Sequence, residues 1–569
     1  MLSQLKRSEV CSTPSKMTLV EISNVSIALG LISIYFYVID LFQPEYFILY
    51  RGVTWDKAYR LSLMDAGVYG LIPLVAIFPA VCIYAVKGLK SASPVKVALY
   101  LLSALIVVNL IPLSYWMSYL YNPPLSINQI HGMISELDAE LFYICAPMYP
   151  LLLILTMYSW MFPFLLKKFR GHIRLRIGSR ETSETADDEP QSTSAFRRKL
   201  GLISIALLSA ILPTIPYLPS INPEFRPVSV DIPSYSRPLN YMLSTDCWRA
   251  VDYAFHGGYR DRPLYLLMLY GLVILGVPRD FVLNLEAVLI ALLFALMVYF
   301  TAGKLSNNHL YALLASLAGI LGFDMTANMM GGFFTAWMAL SLFYACVALT
   351  PSLEEGDAKS LAGCISASVL TLYIHPWTWS LLMAVLTAYL ATSTLKSFKR
   401  GAVKFNKYIF IVLISNAMAD LLKNAITFGR GGLVTSAYTV SRGFNFNNLL
   451  HLLWNLHRIT TTYLSGLLFN PLHMLLALVG ILNLFKRRDK RSQLTITWVA
   501  VASAPFLLGS TALQSRLLLA MPFPLLIAEG LWRISNFLGR FDSKLPRLFQ
   551  AFFIVSSLTY TVRALCNLI

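Results

Sequence analysis

The sequence predicts an all-α polytopic membrane protein with about fifteen spans, and three observations predict it. Mean hydropathy is +0.62, with 57% hydrophobic and only 13% charged residues, whereas a soluble domain needs roughly a quarter of its residues charged. Apolar runs of about 17 to 25 residues recur, long enough to cross a ~30 Å hydrocarbon core as helices, without the alternation of a membrane β-barrel. Basic residues cluster in alternate loops. Walking the spans in alternation puts roughly 31 of the 46 Lys and Arg on one face, as the positive-inside rule requires. The net charge of +17 is therefore a topology signal, aided by anionic head groups, and does not imply nucleic acid.

The first apolar run, about 18 to 42, follows Lys6, Arg7 and Lys16 and is too long for a signal-peptide core. Spans at about 68 to 90, 95 to 118 and 141 to 166 complete a four-span N-terminal extension over residues 1–170. Residues 171–198 read as a cytoplasmic, disordered linker. The wider stretch Lys167 to Lys199 carries nine basic residues around an acidic, Ser/Thr-rich middle, with too little apolar surface to fold.

The next span, about 200 to 219, then runs outward. It is followed by a polar interruption from Pro216 to Pro278, read as the roof of an active site on the extracytoplasmic face. Within it, the apolar stretch Leu264 to Val277 is short and bounded by Pro263 and Pro278, which suits an interfacial or re-entrant helix. Spans at about 280 to 301, 309 to 323, 331 to 350, 360 to 374, 376 to 395 and 408 to 425 follow. The turn Lys396 to Lys407 carries five basic residues, which keeps the alternation in phase. An outside segment, Thr427 to Thr460, contains Arg430, Arg442 and Arg458. Spans at about 461 to 485, 492 to 510, 517 to 532 and 548 to 568 end the chain, with the N-terminus in and the C-terminus out. Of the seven Cys only Cys247 falls outside, so no disulfide framework is implied. The sequence contains no Walker loop, dinucleotide fingerprint or Cys/His metal cluster.

Outside acids concentrate in the first large loop as Glu224, Asp231, Asp246, Asp252 and Asp261, with Asp324 at the outer end of a later hairpin. Such carboxylates deprotonate an attacking hydroxyl, hold a divalent cation, or are simply solvated. Asp231 stands out because Val230 and Ile232-Pro233 would pin it near the bilayer. The triplet Arg260-Asp261-Arg262 suits either a phosphate clamp or an internal salt-bridge cluster. Arg516 opens an outward-facing helix end, where a fixed cation suits a lipid-linked phosphate or snorkels without function. His375 sits where one span stops and Pro376 starts the next, so it caps the turn or contacts a sugar or phosphate. Trp377 and Trp379 fit an interfacial aromatic belt. Glu286, Asp420 and Glu529 fall within spans and must face protein or water.

Val-Asp-Ile-Pro-Ser-Tyr (230 to 235), Arg-Asp-Arg-Pro-Leu-Tyr (260 to 265), Asp324, the small-residue run Gly331 to Leu340 and His-Pro-Trp-Thr-Trp (375 to 379) together give the chain a likeness. It resembles the GT-C superfamily of membrane glycosyltransferases, in particular archaeal and bacterial relatives of the protein O-mannosyltransferases. The resemblance covers roughly 199–425, the length of a seven-helix module with a large first outer loop. It extends more loosely over 426–569, an extracytoplasmic segment and four spans, and leaves the N-terminal extension out. The family's paired acids are absent, since Ile232 follows Asp231.

The resemblance implies transfer of a sugar from a polyprenyl- or dolichyl-phosphate donor to a protein or lipid acceptor, with inversion, at the outer face of the cell membrane. Asp231 would be the general base. Arg516, with Arg260, Arg262 and His375, would bind the lipid phosphate or substrate, with Asp324 and Asp261 as a metal or second acidic site and a divalent cation as the candidate cofactor. Two other readings stand beside this enzyme. A transporter would have its intramembrane acids lining a continuous path, and a non-catalytic GT-C-like scaffold or assembly subunit would have Asp231 turned away from any cavity.

Overall fold

The computed structural model describes residues 21, 24–32, 93–121, 149–161, 195–258, 260–398, 405–428, 459, 469–487 and 489–568. The expected span at 68–90, most of the linker 171–198 and nearly all of the segment 427–460 with Arg430, Arg442 and Arg458 lie outside the described residues. Among the described residues every long element is a helix and no strand occurs. Eight helices among the described residues are long and apolar enough to cross a membrane, or nine when a bent pair is counted as one span. The protein is thus a helical, multi-pass membrane protein.

The chain divides into two compact units. The smaller comprises Met1–Pro112, Glu136–Ile144 and Ser535–Ser556. Its described contacts include Glu21, which accepts from Lys96 and Tyr100, and Asn24, which accepts the main-chain N–H of Ser93 at 3.0 Å. The larger comprises Leu113–Ser135, Cys145–Ile534 and Ser557–Ile569. These units do not follow the expected boundaries, because the expected break at 425/426 falls inside the larger one. Apolar rings unite its two sides: Phe323 lies 5.1 Å from Phe469, and Phe343 stacks on Trp498 at 4.3 Å.

In chain order the helices are α1 (Pro94–Tyr121), α2 (Tyr149–Tyr158), α3 (Ala195–Ile211), α4 (Ile232–Leu243), α5 (Cys247–His256) and α6 (Pro263–Ile274). Then come α7 (Arg279–Ser306), α8 (His309–Ile320), α9 (Phe323–Gly331), α10 (Phe334–Glu354), α11 (Ala358–Ile374) and α12 (Pro376–Phe398). The series ends with α13 (Lys407–Phe428), α14 (Pro471–Leu484), α15 (Lys490–Ser503), α16 (Thr511–Leu519), α17 (Phe523–Gly539) and α18 (Leu545–Cys566). Of the fourth expected span, the described residues 149–161 contain α2, and Trp160 after it donates to Ser503 at the end of α15 at 2.9 Å. It therefore belongs to the larger unit and not to a separate extension.

The polar interruption folds into three short helices. α4 buries Ile232, Tyr235, Leu239 and Met242, the 3-4-3 spacing of one helix face. Asp246 caps α5 by accepting the N–H of Arg249 at 3.0 Å. α6, begun by Pro263, has 12 residues, too few to cross a bilayer.

Two expectations about spans change. The apolar run expected at 309 to 323 continues as α8 and α9 through Gly331, so the hairpin turn is at Gly332 and not at Asp324. The span expected at about 517 to 532 is broken, with its two helices α16 and α17 bent by 48°; Pro522 directly precedes α17, and proline cannot continue a helix from the preceding turn. Intramembrane acids do face protein: Glu286 accepts from Tyr265 at 2.6 Å, Glu529 pairs with Arg487 at 3.2 Å, and Asp420 is buried.

α14 and α17 cross in backbone contact. A Cβ on Gly480 would lie 1.9 Å from the Leu526 carbonyl oxygen, and one on Gly530 would lie 2.0 Å from that of Leu476. Small residues at such crossings let helices pack without a side-chain spacer. Gly480→Ala is expected to cost about 3 kcal/mol or more by overpacking, read as a lowered unfolding temperature in detergent. Gly271→Ala, with nothing near its Cβ position, is the neutral control.

Candidate functional site

The segment Ser229 to Asp231 is strapped to the end of α9. A helix leaves its last carbonyls without partners, and here the strap supplies them. Ser229 Oγ donates to the Met329 oxygen at 2.5 Å, Val230 N–H to Met330 and Asp231 N–H to Gly331, each at 3.2 Å. The apolar neighbours play a smaller part than their sequence suggests: Ile232 is 1% exposed but Val230 is 73% exposed. Asp231 takes the N-cap position of α4 without using its side chain as the cap. Its carboxylate makes no hydrogen bond or ion pair among the described residues, so it is left to the cavity it lines.

The turn beneath this strap depends on Gly332, whose φ of +67° is costly for any residue with a Cβ. A Cβ there would also lie 2.9 Å from Ser229 Cβ and 3.1 Å from Asp231 N. Gly332→Ala is expected to lower stability by roughly 1 to 2 kcal/mol and to speed hydrogen exchange at the Val230 and Asp231 amides.

That cavity has a volume of about 540 Å³ and lies within the larger unit. Asp231, Arg262, His375 and Arg516 line it together, with Tyr235 and Thr335. The remaining wall is largely apolar, including Leu340, Leu381, Ala384, Val501 and Leu513. The helices after residue 426 thus supply Arg516 and much of the apolar surface.

Each polar group is held by a different element. Arg262, just before α6, donates from Nη1 to Thr335 at 3.1 Å and Tyr235 at 3.4 Å, and pairs through Nε with Asp261 at 3.4 Å. Arg262 thus makes the internal ion pair expected of the Arg260-Asp261-Arg262 triplet and also lines the cavity. Arg516, in α16, lies with its guanidinium carbon 4.5 Å from the ring centroid of Trp377, a cation–π arrangement that orients the planar fork. Among the described residues it has no hydrogen-bond or ion-pair partner. His375 ends α11 and Pro376 begins α12, as the proline requires.

Burial pushes the Asp231 carboxyl above the ordinary carboxylate range, while the positive charges of Arg262 and Arg516 pull it back down. Burial likewise pushes the Tyr235 phenol up to about 12, keeping it a neutral hydrogen-bonding group.

Other expected site residues lie elsewhere. Arg260 is exposed and does not line the cavity. Asp261 serves Arg262 through its carboxylate and Lys423 through its main-chain oxygen, also off the cavity wall. Asp324 is only 2% exposed, with Oδ1 unpartnered, inside the helical core and not at a loop tip. Among the described residues no three His, Cys, Asp or Glu side chains gather into a cation site. Trp379 is not a belt residue either: it is buried and donates to Asn416 at 2.8 Å, and Trp377 turns to Arg516.

Sequence reasoning missed Lys423, a buried ammonium in α13. It donates to the Asp261 carbonyl at 2.7 Å and the Leu372 carbonyl at 2.8 Å, joining the Arg262 loop to the last turn of α11. The available signal was a lysine inside an apolar run, which must find partners within the protein. Tyr235 and Thr378 were inside the quoted motifs, but only the fold turns them to the cavity.

No protein-family model matches the chain, and no curated protein matches it.

Proposed function

We propose that the protein transfers a sugar from a polyprenyl- or dolichyl-phosphate donor to a hydroxyl acceptor at the extracytoplasmic face of the membrane. The observation that carries this reading is a single cavity in which one carboxylate and two guanidinium groups share a wall with a large apolar surface. A phosphorylated isoprenoid has the matching division of character: its anionic head needs cations, and its tail needs a dry wall.

In this reading the acceptor hydroxyl attacks the anomeric carbon while Asp231 takes its proton. The bond from that carbon to the phosphate oxygen breaks, and the electron pair leaves with the lipid phosphate. Arg516 and Arg262 face the charge that grows on the leaving group, where preorganised cations count most. A single displacement inverts the anomeric centre. Asp231 on the cavity wall favours this reading over a scaffold. Glu286, Asp420 and Glu529 are absent from the cavity lining, which favours it over a transporter using them as a path.

The test is incubation of membranes containing the protein with a panel of radiolabelled polyprenyl-phosphate sugars. Label moving from lipid to an acceptor with at least one donor is the expected result; no transfer from any donor overturns the enzyme reading.

A further inference from the structure

The His375 ring has two nitrogens in different surroundings. Nδ1 faces Thr378, with the hydroxyl Oγ1 at 2.8 Å and the main-chain nitrogen at 3.3 Å, its N–H directed at the ring. A main-chain amide only donates. A proton on Nδ1 would point at the amide hydrogen, so Nδ1 is the acceptor and the proton of the neutral ring sits on Nε2. The Thr378 hydroxyl must then donate to Nδ1 as well. Nε2 makes no hydrogen bond to a described residue and is not sealed within the protein, so it opens on the cavity that the ring lines.

We propose that Thr378 is a positioning residue that holds His375 as the Nε2–H tautomer, so that the ring offers one N–H to a phosphate oxygen of the ligand. The phosphate rests on the proposed function; the tautomer does not. The charged groups around the ring fit a neutral donor. Arg262 before α6, Arg516 on α16 and Lys423 on α13 all add positive charge, and Asp231 at the start of α4 is the cavity's carboxylate. Burial first, and then Arg262, Arg516 and Lys423, hold the imidazole neutral well below its ordinary range. A neutral N–H adds a third hydrogen-bonding group beside the two guanidiniums without another charge to desolvate. His375 is only 4% exposed, so its orientation is set by protein contacts, and Thr378 on the first turn of α12 is the group that makes them.

The experiment uses the full chain in detergent, labelled with ¹⁵N-histidine. At neutral pH the spectrum should give His375 a pyridine-type Nδ1 and a pyrrole-type Nε2, unchanged through the range where an ordinary histidine titrates, near pH 6.5. Thr378→Val keeps the main-chain N–H and hence the Nε2–H tautomer, but it removes the hydroxyl that anchors the ring and should weaken binding of a polyprenyl phosphate roughly three- to tenfold, the size of one neutral hydrogen bond. Thr378→Ser should restore binding, and binding of the corresponding polyprenol, which lacks phosphate, should not change. His375→Gln, whose amide nitrogen reaches the place of Nε2, should bind better than His375→Asn, whose amide falls at Nδ1. A pyrrole-type Nδ1 in the wild type, or equal binding by the Val and Ser variants, overturns the proposal. Failure of the wild type to bind polyprenyl phosphate overturns the phosphate acceptor and the lipid-donor reading together, while the spectrum alone decides the tautomer.

Discussion

Asp231→Asn is expected to slow sugar transfer by about 10² to 10⁴-fold, the range contributed by a positioned general base. The amide keeps the shape of the side chain, and the strap that holds it uses main-chain atoms of residues 230 and 231, so the fold should be unaffected. Donor affinity should stay within about twofold, because the proton is moved only in the transition state. The measurement is kcat and donor KM in membranes or detergent, and transfer within about threefold of wild type would refute the assignment. The pH profile gives a second check. A base works only when ionised, so activity is present above its pKa and lost as pH falls through it. Burial raises that pKa, and the acid limb of kcat/KM should therefore lie above the ordinary carboxylate value of about 4.

Arg516→Met is expected to weaken binding of a polyprenyl phosphate and to lower kcat by about 10² to 10³-fold, as removal of a preorganised charge stabiliser does. The side chain has no other partner among the described residues except the Trp377 ring, so its loss strands no buried acid. Its charge also helps hold the Asp231 pKa down, and the acid limb should move to higher pH in the variant. Arg516→Lys should keep the limb near its wild-type position while losing the planar stack and the two-point contact with phosphate. An unshifted limb in Arg516→Met would show that the two residues do not share one field. Unchanged lipid binding would remove Arg516 from the phosphate site.

Much of the site was legible before any fold was known, although not always for the right reason. Asp231 was singled out for its apolar neighbours, but it is positioned by carbonyls at the end of α9, and no sequence pattern announces that two segments a hundred residues apart share hydrogen bonds. His375 was legible because Pro376 forces a helix to stop there. Arg516 was legible as a cation at the edge of an apolar run. Asp324 misled because Gly-Phe-Asp-Met-Thr looks like a loop tip, whereas the helix resumes at Phe323 and encloses the carboxyl. Trp379 misled because an aromatic at a helix end is equally suited to lipid head groups and to a buried amide partner.

Hydropathy alone decides that this chain makes membrane helices and leaves polar stretches between them, because apolar runs of sufficient length enter hydrocarbon, where a helix pairs every backbone group within its own segment. The cavity is another matter. It needs α4, α9, α10, α12, α15 and α16 from both sides of an apparent boundary, a glycine turn at Gly332, and one ammonium, Lys423, bridging two carbonyls. Those are contacts between segments distant in sequence, and only close packing in three dimensions selects which of many similar apolar faces will meet.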